Sequence, residues 1–221
     1  MPRDTPGLTV QRCNETLGGR FMNNGEIVFE DCAVPKDHCL VENVAIMRKL
    51  WQEDDVEYDG RYYQVSGGNI RPKPVQRPGI PVYFGGTSEP MMRRIARVAD
   101  GWVGNGASTI EEFVDGIALI RRTAAERGRD PNSLGFAKLQ GVSLHRDKNE
   151  ARAMAERQWH SYYGPRFNIE AGTIYGPPEE VAGRLQAFTA ADAPEVTLVL
   201  EPSNLEIEQL ELLRQATKGL G

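Results

Sequence analysis

The sequence has few cysteines and histidines, three of each among 221 residues. Cys13, Cys32 and Cys39 show no Cys-x-x-Cys spacing, and no second histidine stands near His38, so neither a zinc site nor a disulfide framework is indicated. We therefore predict reduced thiols and no bound metal. No apolar run approaches the ~20 residues that a membrane-spanning helix needs, and the first residues lack the apolar core of a signal peptide. These absences lead us to expect a cytoplasmic protein without membrane contact.

Positive charge is not concentrated anywhere in the chain. The formal net charge is -5, and the lysines and arginines are scattered, so there is no basic patch of the kind that binds nucleic acid or an anionic membrane. The composition, 40% hydrophobic and 26% charged, is that of a globular protein with one good core or two small ones. We expect its partners to be small molecules.

The pattern of the chain changes near residue 44. Before this point, the turn signal Asn23-Asn24-Gly25 adjoins the run Glu26-Ile27-Val28-Phe29, which predicts short antiparallel strands. After it, Asp59-Gly60 favours a hairpin turn, and strand-like runs then alternate with amphipathic helices, as in βα units around a parallel sheet. The predicted domains are accordingly residues 1–43 and 44–221.

Four βα units are predicted in the second part of the chain. Their strands are residues 79–84, 102–103, 136–144 and 195–200. The helix starts are marked by capping residues, namely Ser88, Thr109 with Glu112, Asp147 with Glu150, and Ser203 with Glu206. A further helix begins at Pro177-Pro178 and turns Val181, Leu185 and Phe188 inward. Such units make half of a (β/α)₈ barrel or a small open α/β sheet, and the pattern alone does not separate the two.

Two strand-to-helix loops are candidate binding sites. In Gly85-Gly86-Thr87-Ser88 the glycines let the backbone approach a ligand, and the N–H groups of the following helix suit a phosphate. The same residues also fit a simple tight turn in which Ser88 only caps the helix. Asn105-Gly106 follows the next strand and would lie at the same edge of a parallel sheet, although Asn-Gly is above all a turn dipeptide.

No side chain is assigned a catalytic role. His145, at the end of a strand, and His160, in a helix, fit surface or locally bonded imidazoles better than catalysts. Arg93 or Arg94, one helical turn after the first loop, would add positive charge to it. Any chemistry is therefore expected to come from a bound cofactor.

Several motifs, in their order and spacing, resemble the luciferase-like monooxygenase superfamily. They are Leu50-Trp51, Asp59 to Tyr63, Pro72 to Pro78, Pro81 to Ser88, Ala99 to Trp102 and Gly176 to Val181. The resemblance covers about residues 44–218 and implies the C-terminal half of a (β/α)₈ barrel, a TIM barrel, that uses FMN with oxygen or the deazaflavin coenzyme F420 for hydride transfer. It also implies that Gly85, Gly86, Thr87 and Ser88 hold the cofactor phosphate, with Asn105 and Gly106 close by.

Residues 1–43 resemble a different family. The succession Pro6 to Val10, Leu17 to Arg20 and Ile27 to Pro35 is similar to a piece of the middle β-domain of acyl-CoA dehydrogenases. That family binds FAD and acyl-CoA through elements that this sequence lacks. No catalytic residue is therefore transferred from it.

Two hypotheses of function follow from the sequence. The first is a flavin- or deazaflavin-dependent oxidoreductase or monooxygenase module of the luciferase-like class, which is incomplete as an isolated chain. The alternative is a half barrel that serves only for binding or assembly, or a fusion fragment without activity. Absorbance of the purified protein at flavin wavelengths, with and without FMN or the deazaflavin, separates them.

A half barrel is expected to self-associate, because it exposes unpaired strand edges and an apolar face. Burial contributes ~25 cal/mol per Å², so that even a modest shared face is worth several kcal/mol before association costs. Light scattering over a dilution series should show a homodimer. A compact monomer at every concentration would contradict this prediction and would mean that the exposed face is covered within one chain.

Overall fold

The computed structural model describes residues 8–14, 24–29, 40–190 and 196–219, with side chains from residue 40 onward except 189 and 190. The chain divides into two compact units, Met1–Ile80 (unit 1) and Pro81–Gly221 (unit 2). The predicted division near residue 44 stays a prediction. Most residues that carry the resemblance to acyl-CoA dehydrogenases, together with Cys32, Cys39 and Glu195, lie outside the described residues.

Unit 1 contains two antiparallel strand pairs and one helix in its described part. The elements are β1 (Leu8–Asn14), β2 (Asn24–Phe29), α1 (Leu40–Gln52), β3 (Val56–Asp59) and β4 (Gln64–Gly68). Thr9 pairs with Val28 in the first pair, which confirms the predicted antiparallel strands. The turn between β3 and β4 follows Asp59-Gly60, where the Gly60 N–H donates to the Tyr63 carbonyl at 2.9 Å, so the predicted hairpin is also confirmed.

One carboxylate joins the helix of unit 1 to its second hairpin. Glu42, in the first turn of α1, accepts hydrogen bonds from the backbone N–H groups of Arg61, Tyr62 and Tyr63 at 3.1, 3.1 and 3.2 Å. Successive N–H groups in a turn form a concave site for an anion, and here the anion is a side chain of the same unit. This contact fixes the hairpin turn against the start of α1.

Unit 2 alternates strands and helices. Its elements are β5 (Tyr83–Phe84), α2 (Glu89–Val98), β6 (Gly101–Gly104), α3 (Ile110–Glu126), β7 (Gly135–Leu144), α4 (Lys148–Tyr163), α5 (Ile169–Gly172), β8 (Thr173–Gly176), α6 (Pro178–Ala190), β9 (Val196–Pro202) and α7 (Ile207–Ala216). A 3₁₀ turn, Pro131–Ser133, precedes β7. Among all described residues, no helix is both long and apolar enough to cross a membrane.

The strands of unit 2 pair in parallel around β7, which is ten residues long. β9 pairs with residues 136–142 of β7, whereas β6 pairs with residues 135–138 and β8 with residues 141–144. The stretch of β7 that pairs with β9 overlaps the stretches that pair with β6 and with β8. β6 and β8 must therefore both lie along the other edge of β7. The order β5-β6-β7-β9 is therefore that of successive βα units, with β8 inserted beside the C-terminal half of β7.

The prediction of four strands missed β8 and overextended β5. β8 has four residues and pairs with half of one strand, and its end at Gly176-Pro177 was taken only as a helix start. The predicted strand at residues 79–84 forms a parallel pair only at Tyr83 and Phe84, since Pro81 has no N–H to donate to a ladder. A parallel sheet between helices, the expected α/β class, is present.

Helix α4 lies on the opposite face of the sheet from α3. Parallel crossovers are right-handed, so a connection that steps back from β7 to β8 must place its helix on the other face from one that steps forward. Two contacts agree with this rule. Arg121 of α3 lies over the Phe136 ring, at 5.2 Å from its centroid, whereas the Ser143 hydroxyl donates to the Ala151 carbonyl of α4 at 2.7 Å. We call the two sides the α3 face and the α4 face.

The core on the α3 face is built around Trp102. Its indole stacks on Phe113 with 5.0 Å between ring centroids, and Phe188 meets Phe113 edge-on at 6.5 Å. Gly116 makes room for the indole, because a Cβ atom there would lie 2.5 Å from it. The predicted inward residues Val181, Leu185 and Phe188 of α6, and Phe113, Ile117 and Ile120 of α3, are all buried.

Of the four predicted helix caps, Thr109 and Asp147 form cap hydrogen bonds, Ser88 occupies the N-cap position without one, and Ser203 is not a cap. The capping box of α3 is complete, with the Thr109 hydroxyl accepting from the Glu112 N–H at 3.2 Å, and Asp147 caps α4 in a similar way. Helix α7 does not begin at Ser203 but at Ile207, after Glu206. The hydroxyl of Ser203 is buried instead against that of Ser143, at 2.9 Å, and is therefore not available as a cap.

The caps of α2 and α3 offer a matched stability test. Replacing Thr109 by Ala removes a hydroxyl that satisfies a helix N–H, and should lower the free energy of unfolding of unit 2 by ~1 kcal/mol. Ser88 also occupies an N-cap position but makes no side-chain cap hydrogen bond. Ser88→Ala should therefore change the free energy of unfolding by less than ~0.5 kcal/mol. Chemical denaturation of both variants measures the difference. Equal destabilisation would show that the α3 capping box contributes nothing beyond the N-cap position itself.

Candidate functional site

The two candidate loops lie at the same edge of the sheet in unit 2. Phe84 pairs with Trp102 in parallel register, so the chain leaves β5 at Gly85 and β6 at Asn105 on the carboxyl edge. A Cβ atom on Gly85 would lie 4.0 Å from the carbonyl oxygen of Val103 and would meet nothing nearer. The residues expected to form the site, Gly85 to Ser88 with Asn105 and Gly106, are thus brought to one place.

The first candidate loop, Gly85–Ser88, is held by Trp102 from the α3 face of the sheet. The indole N–H of Trp102 donates to the carbonyl of Gly86 at 2.9 Å. In a trans peptide the carbonyl and the N–H point in opposite directions, so the Thr87 N–H of this peptide unit points away from Trp102 and the α3 face. Within the described part of the chain the Thr87 N–H has no acceptor. Gly86 has φ = +106°, a conformation that other residues rarely adopt.

The start of α2 also leaves donors unused. Ser88 is its N-cap but makes no side-chain cap hydrogen bond, and the first backbone bond of the helix runs from the Met92 N–H to the Ser88 carbonyl at 3.0 Å. The N–H groups of Glu89 and Met91 have no acceptor among the described residues. Together with the helix dipole they favour an anion at this end of the helix.

The second loop occupies a gap in the strand pairing, which we call the seam. Residues 139 and 140 of β7 lie between the stretches paired with β6 and β8. Gly106 lies over this gap, since a Cβ atom on it would be 3.8 Å from the carbonyl oxygen of Leu139. Gln140 fills part of the gap by donating to the Gly141 and Gly172 carbonyls at 3.1 and 3.3 Å.

A buried lysine at the seam is the functional candidate that the sequence reasoning missed. Lys138 is 0% exposed, and its Nζ donates to the carbonyls of Asn105 and Leu139 at 2.8 and 3.2 Å. Burial lowers the pKa of Lys138 to about 8, and the negative charge of Glu112 opposes this shift. A lysine inside the predicted strand 136–144 was the available signal.

A groove of about 590 Å³ opens on the α3 face beside the loops. Thr87, Met92, Trp102, Ser108 and Gly116 are among the residues that line it. It also carries carboxylates, those of Glu89, Glu112 and Asp115. Such a negative lining repels a phosphate, so the groove is not where an anion would bind.

The remaining charged candidates have local partners. Arg93 donates to Glu89 at 2.9 and 2.7 Å, so its charge is offset within α2 rather than offered to the first loop. The Nδ1 atom of His145 accepts from the Asp147 N–H at 3.0 Å, and the Nε2 atom of His160 lies 3.2 Å from the Phe167 carbonyl. Both histidines are thus locally bonded. Over the described ranges, no cluster of His, Cys, Asp and Glu is suited to a metal.

Curated relatives of this chain share about half of their length with it. One is the F420-dependent glucose-6-phosphate dehydrogenase of Segniliparus rotundus, 31% identical over 171 residues, which are 71% of this chain and 48% of the relative. The enzyme of the same description from Nocardia farcinica is 27% identical over 173 residues, 74% of this chain and 50% of the relative. The chain therefore spans about half the length of the curated relatives that it matches.

Solved structures show the same fold. An F420-dependent secondary alcohol dehydrogenase, in complex with an F420-acetone adduct, superimposes with a TM-score of 0.66 at 18% identity, over 81% of this chain and 60% of that one. The coenzyme F420 dependent tetrahydromethanopterin reductase of Methanopyrus kandleri gives 0.64 at 19% identity, over 86% and 63%. The family model described as luciferase-like monooxygenase matches residues 38–203. The chain thus belongs to the luciferase-like monooxygenase family.

Proposed function

We propose that this chain is the cofactor-phosphate-binding part of a flavin- or deazaflavin-dependent oxidoreductase. The observation that carries the proposal is the pair of adjacent loops, Gly85–Ser88 and Asn105-Gly106, at the carboxyl edge of a parallel sheet. Their backbone N–H groups at Thr87 and Gly106 have no acceptor among the described residues. Unused amide donors at such an edge are what a phosphate requires.

The space around the loops fits a phosphate. Cβ atoms on Gly85 and Gly106 would have backbone carbonyls as their nearest neighbours, at 4.0 and 3.8 Å, so both glycines leave an open surface. The uncapped start of α2 adds two donors and the positive end of a helix dipole. The acidic groove borders both loops, since Thr87 and Asn105 line it, but the Thr87 N–H points away from the α3 face on which the groove opens.

The cofactor supplies the redox chemistry when it is bound, by accepting or donating a hydride or by reacting with oxygen. The residues of this chain hold its phosphate and thereby orient its ring system. Three curated relatives described as F420-dependent glucose-6-phosphate dehydrogenases favour the deazaflavin. FMN is the other candidate, because a riboflavin lyase with a modified FMN has a similar fold, with a TM-score of 0.60.

The sheet is proposed to be the C-terminal half of a (β/α)₈ barrel. Tyr83 and Val199 on its α4 face are exposed, at 43% and 44%, as expected of apolar surface that a further part of the protein would cover. The other half of the barrel would then complete the space for the ring and the substrate. The proposal also includes the resemblance of residues 1–43 to acyl-CoA dehydrogenases and the association of the chain as a homodimer.

The alternative function is a half barrel without catalysis that serves in binding or assembly. The chain spans about half the length of the curated relatives that it matches. In a half barrel of this kind the loops would keep their shape without cofactor affinity. Titration of the unmodified chain with F420 and FMN, followed by fluorescence, separates the two functions.

Replacing Gly85 by Val tests the first loop. Gly85 is not held at positive φ and has room for a Cβ atom, so a branched side chain should leave the backbone in place and fill the space proposed for the phosphate. We expect the affinity for F420 or FMN to fall by tenfold or more, about 1.4 kcal/mol. Gly86 is less suitable, since its φ of +106° makes any substitution strained.

The matched control is Gly183→Val in α6. A Cβ atom on Gly183 would meet no other atom within 4 Å, so this variant adds the same side chain away from the loops and should bind like the parent. Equal affinity of the Gly85 variant and the parent would remove this loop from the site. Failure of the parent to bind either cofactor would favour the assembly function.

A further inference from the structure

Lys138 holds one particular peptide unit of the second loop. Its Nζ donates to the Asn105 carbonyl at 2.8 Å, and the Ser108 hydroxyl donates to the same oxygen at 3.0 Å. Two donors on one carbonyl fix its direction. Because the peptide is planar and trans, the N–H of the same unit, which belongs to Gly106, must point away from Lys138.

The position of Lys138 defines that direction. Lys138 pairs with Gly104 across the sheet, and a Cβ atom on Gly104 would lie 2.5 Å from Phe113 of α3. Side chains of paired residues lie on the same face, so Lys138 rises on the α3 face. The Gly106 N–H is therefore directed away from the α3 face and its acidic groove, and no described residue accepts its hydrogen bond.

The first loop has the same arrangement. The indole of Trp102 holds the Gly86 carbonyl from the α3 face, and the Thr87 N–H points away from that face. Two independent side chains, on neighbouring strands, thus turn two amide donors to the same side of the sheet. Two donors turned to the same side of the sheet, on neighbouring loops, suit one anion better than two unrelated turns would.

We infer that Lys138 is a positioning residue for the cofactor phosphate: it orients the Gly106 N–H toward the anion and places a positive charge beneath it. This inference rests on the proposed function for its ligand, but its geometric part concerns the free protein. Lys138 itself does not touch the anion, since it is 0% exposed and faces the other side of the loop.

The charge of Lys138 has no close carboxylate to neutralise it among the described residues. Glu112 of α3 is the negative group whose field acts on it, and no ion pair of Lys138 within 4.0 Å is present over the described ranges. A buried cation without an ion pair is costly, which is why the pKa of Lys138 falls from 10.5 to about 8. A phosphate above the loop would compensate this charge.

A rise in pH should change the affinity for an anion and the stability of the protein in opposite directions. As the pH rises through about 8, Lys138 loses its proton, and the affinity for an anion should fall. Between about pH 8 and 10.5, the ordinary pKa of a lysine, Lys138 binds more protons in the unfolded chain than in the folded one. The contribution of Lys138 to the free energy of unfolding should therefore rise with pH in this range. Loss of binding with a gain of stability is not expected of a merely structural lysine.

Binding is tested with the full chain, using F420, FMN and inorganic phosphate as probes between pH 7 and 9. The parent should lose affinity with a midpoint near pH 8. Lys138→Met should bind roughly tenfold more weakly at pH 7 and show no such midpoint, because it lacks both the donor and the charge. Ser108→Ala removes the second donor but leaves Lys138, so it should retain the pH dependence.

Orientation is tested without any ligand, by following the amide resonances of glycines by NMR. The Gly106 amide of the parent should shift with a midpoint near pH 8 and should not do so in Lys138→Met. Gly128, beyond the end of α3, serves as the reference amide and should not respond. A Gly106 amide that ignores pH in the parent would overturn the inference, even if the Met variant does not fold.

The two proposals fail in different ways. If the parent binds none of the three probes, the proposed function is wrong, while the Gly106 titration still decides whether Lys138 orients the loop. If the parent binds a probe and Lys138→Met binds it equally well with the same pH dependence, the role of Lys138 is refuted and the cofactor site stands.

Discussion

The hydrogen bond from the Trp102 indole to the Gly86 carbonyl joins the candidate site to the core of unit 2. The ring of Trp102 is 1% exposed and stacks on Phe113, and Gly116 gives it the room to do so. A buried aromatic side chain of this size contributes several kcal/mol through its contacts. Since the same residue fixes the peptide that presents the Thr87 N–H, the first loop cannot change its direction without disturbing the packing of α3. The first loop is therefore anchored to the core of unit 2.

The features that the sequence predicted are those determined by neighbours along the chain. The Thr109 and Glu112 box needs only residues three apart, and the inward faces of α3 and α6 follow from helical periodicity. The features that it missed depend on distant partners. Ser203 has the sequence of a helix cap, but its hydroxyl meets Ser143, 60 residues earlier. No local pattern reveals such a contact.

The candidate site shows the same division. The positions of its loops were predictable because parallel strands bring their carboxyl ends to one edge. What orients the peptide units was not predictable, because Trp102 and Lys138 act from strands behind the loops and were predicted only as strand residues. Lysine is rarely fully buried, so a lysine in the interior of the predicted strand 136–144 was a usable signal. The side of the sheet on which α4 lies could only follow once the place of β8 was known.

The seam has a consequence for how this fold can vary. The chain leaves the sheet after Leu144, at the end of β7, and re-enters it at Thr173 as β8, which pairs with β7. The segment between these residues is therefore a long connection whose two ends both lie at β7. The pairing of β7 with β9 along the opposite edge does not depend on the length of that connection. Insertions or deletions there would change what covers the α4 face while the βα order is preserved. Changes of length in this one segment would therefore leave the two candidate loops unaltered.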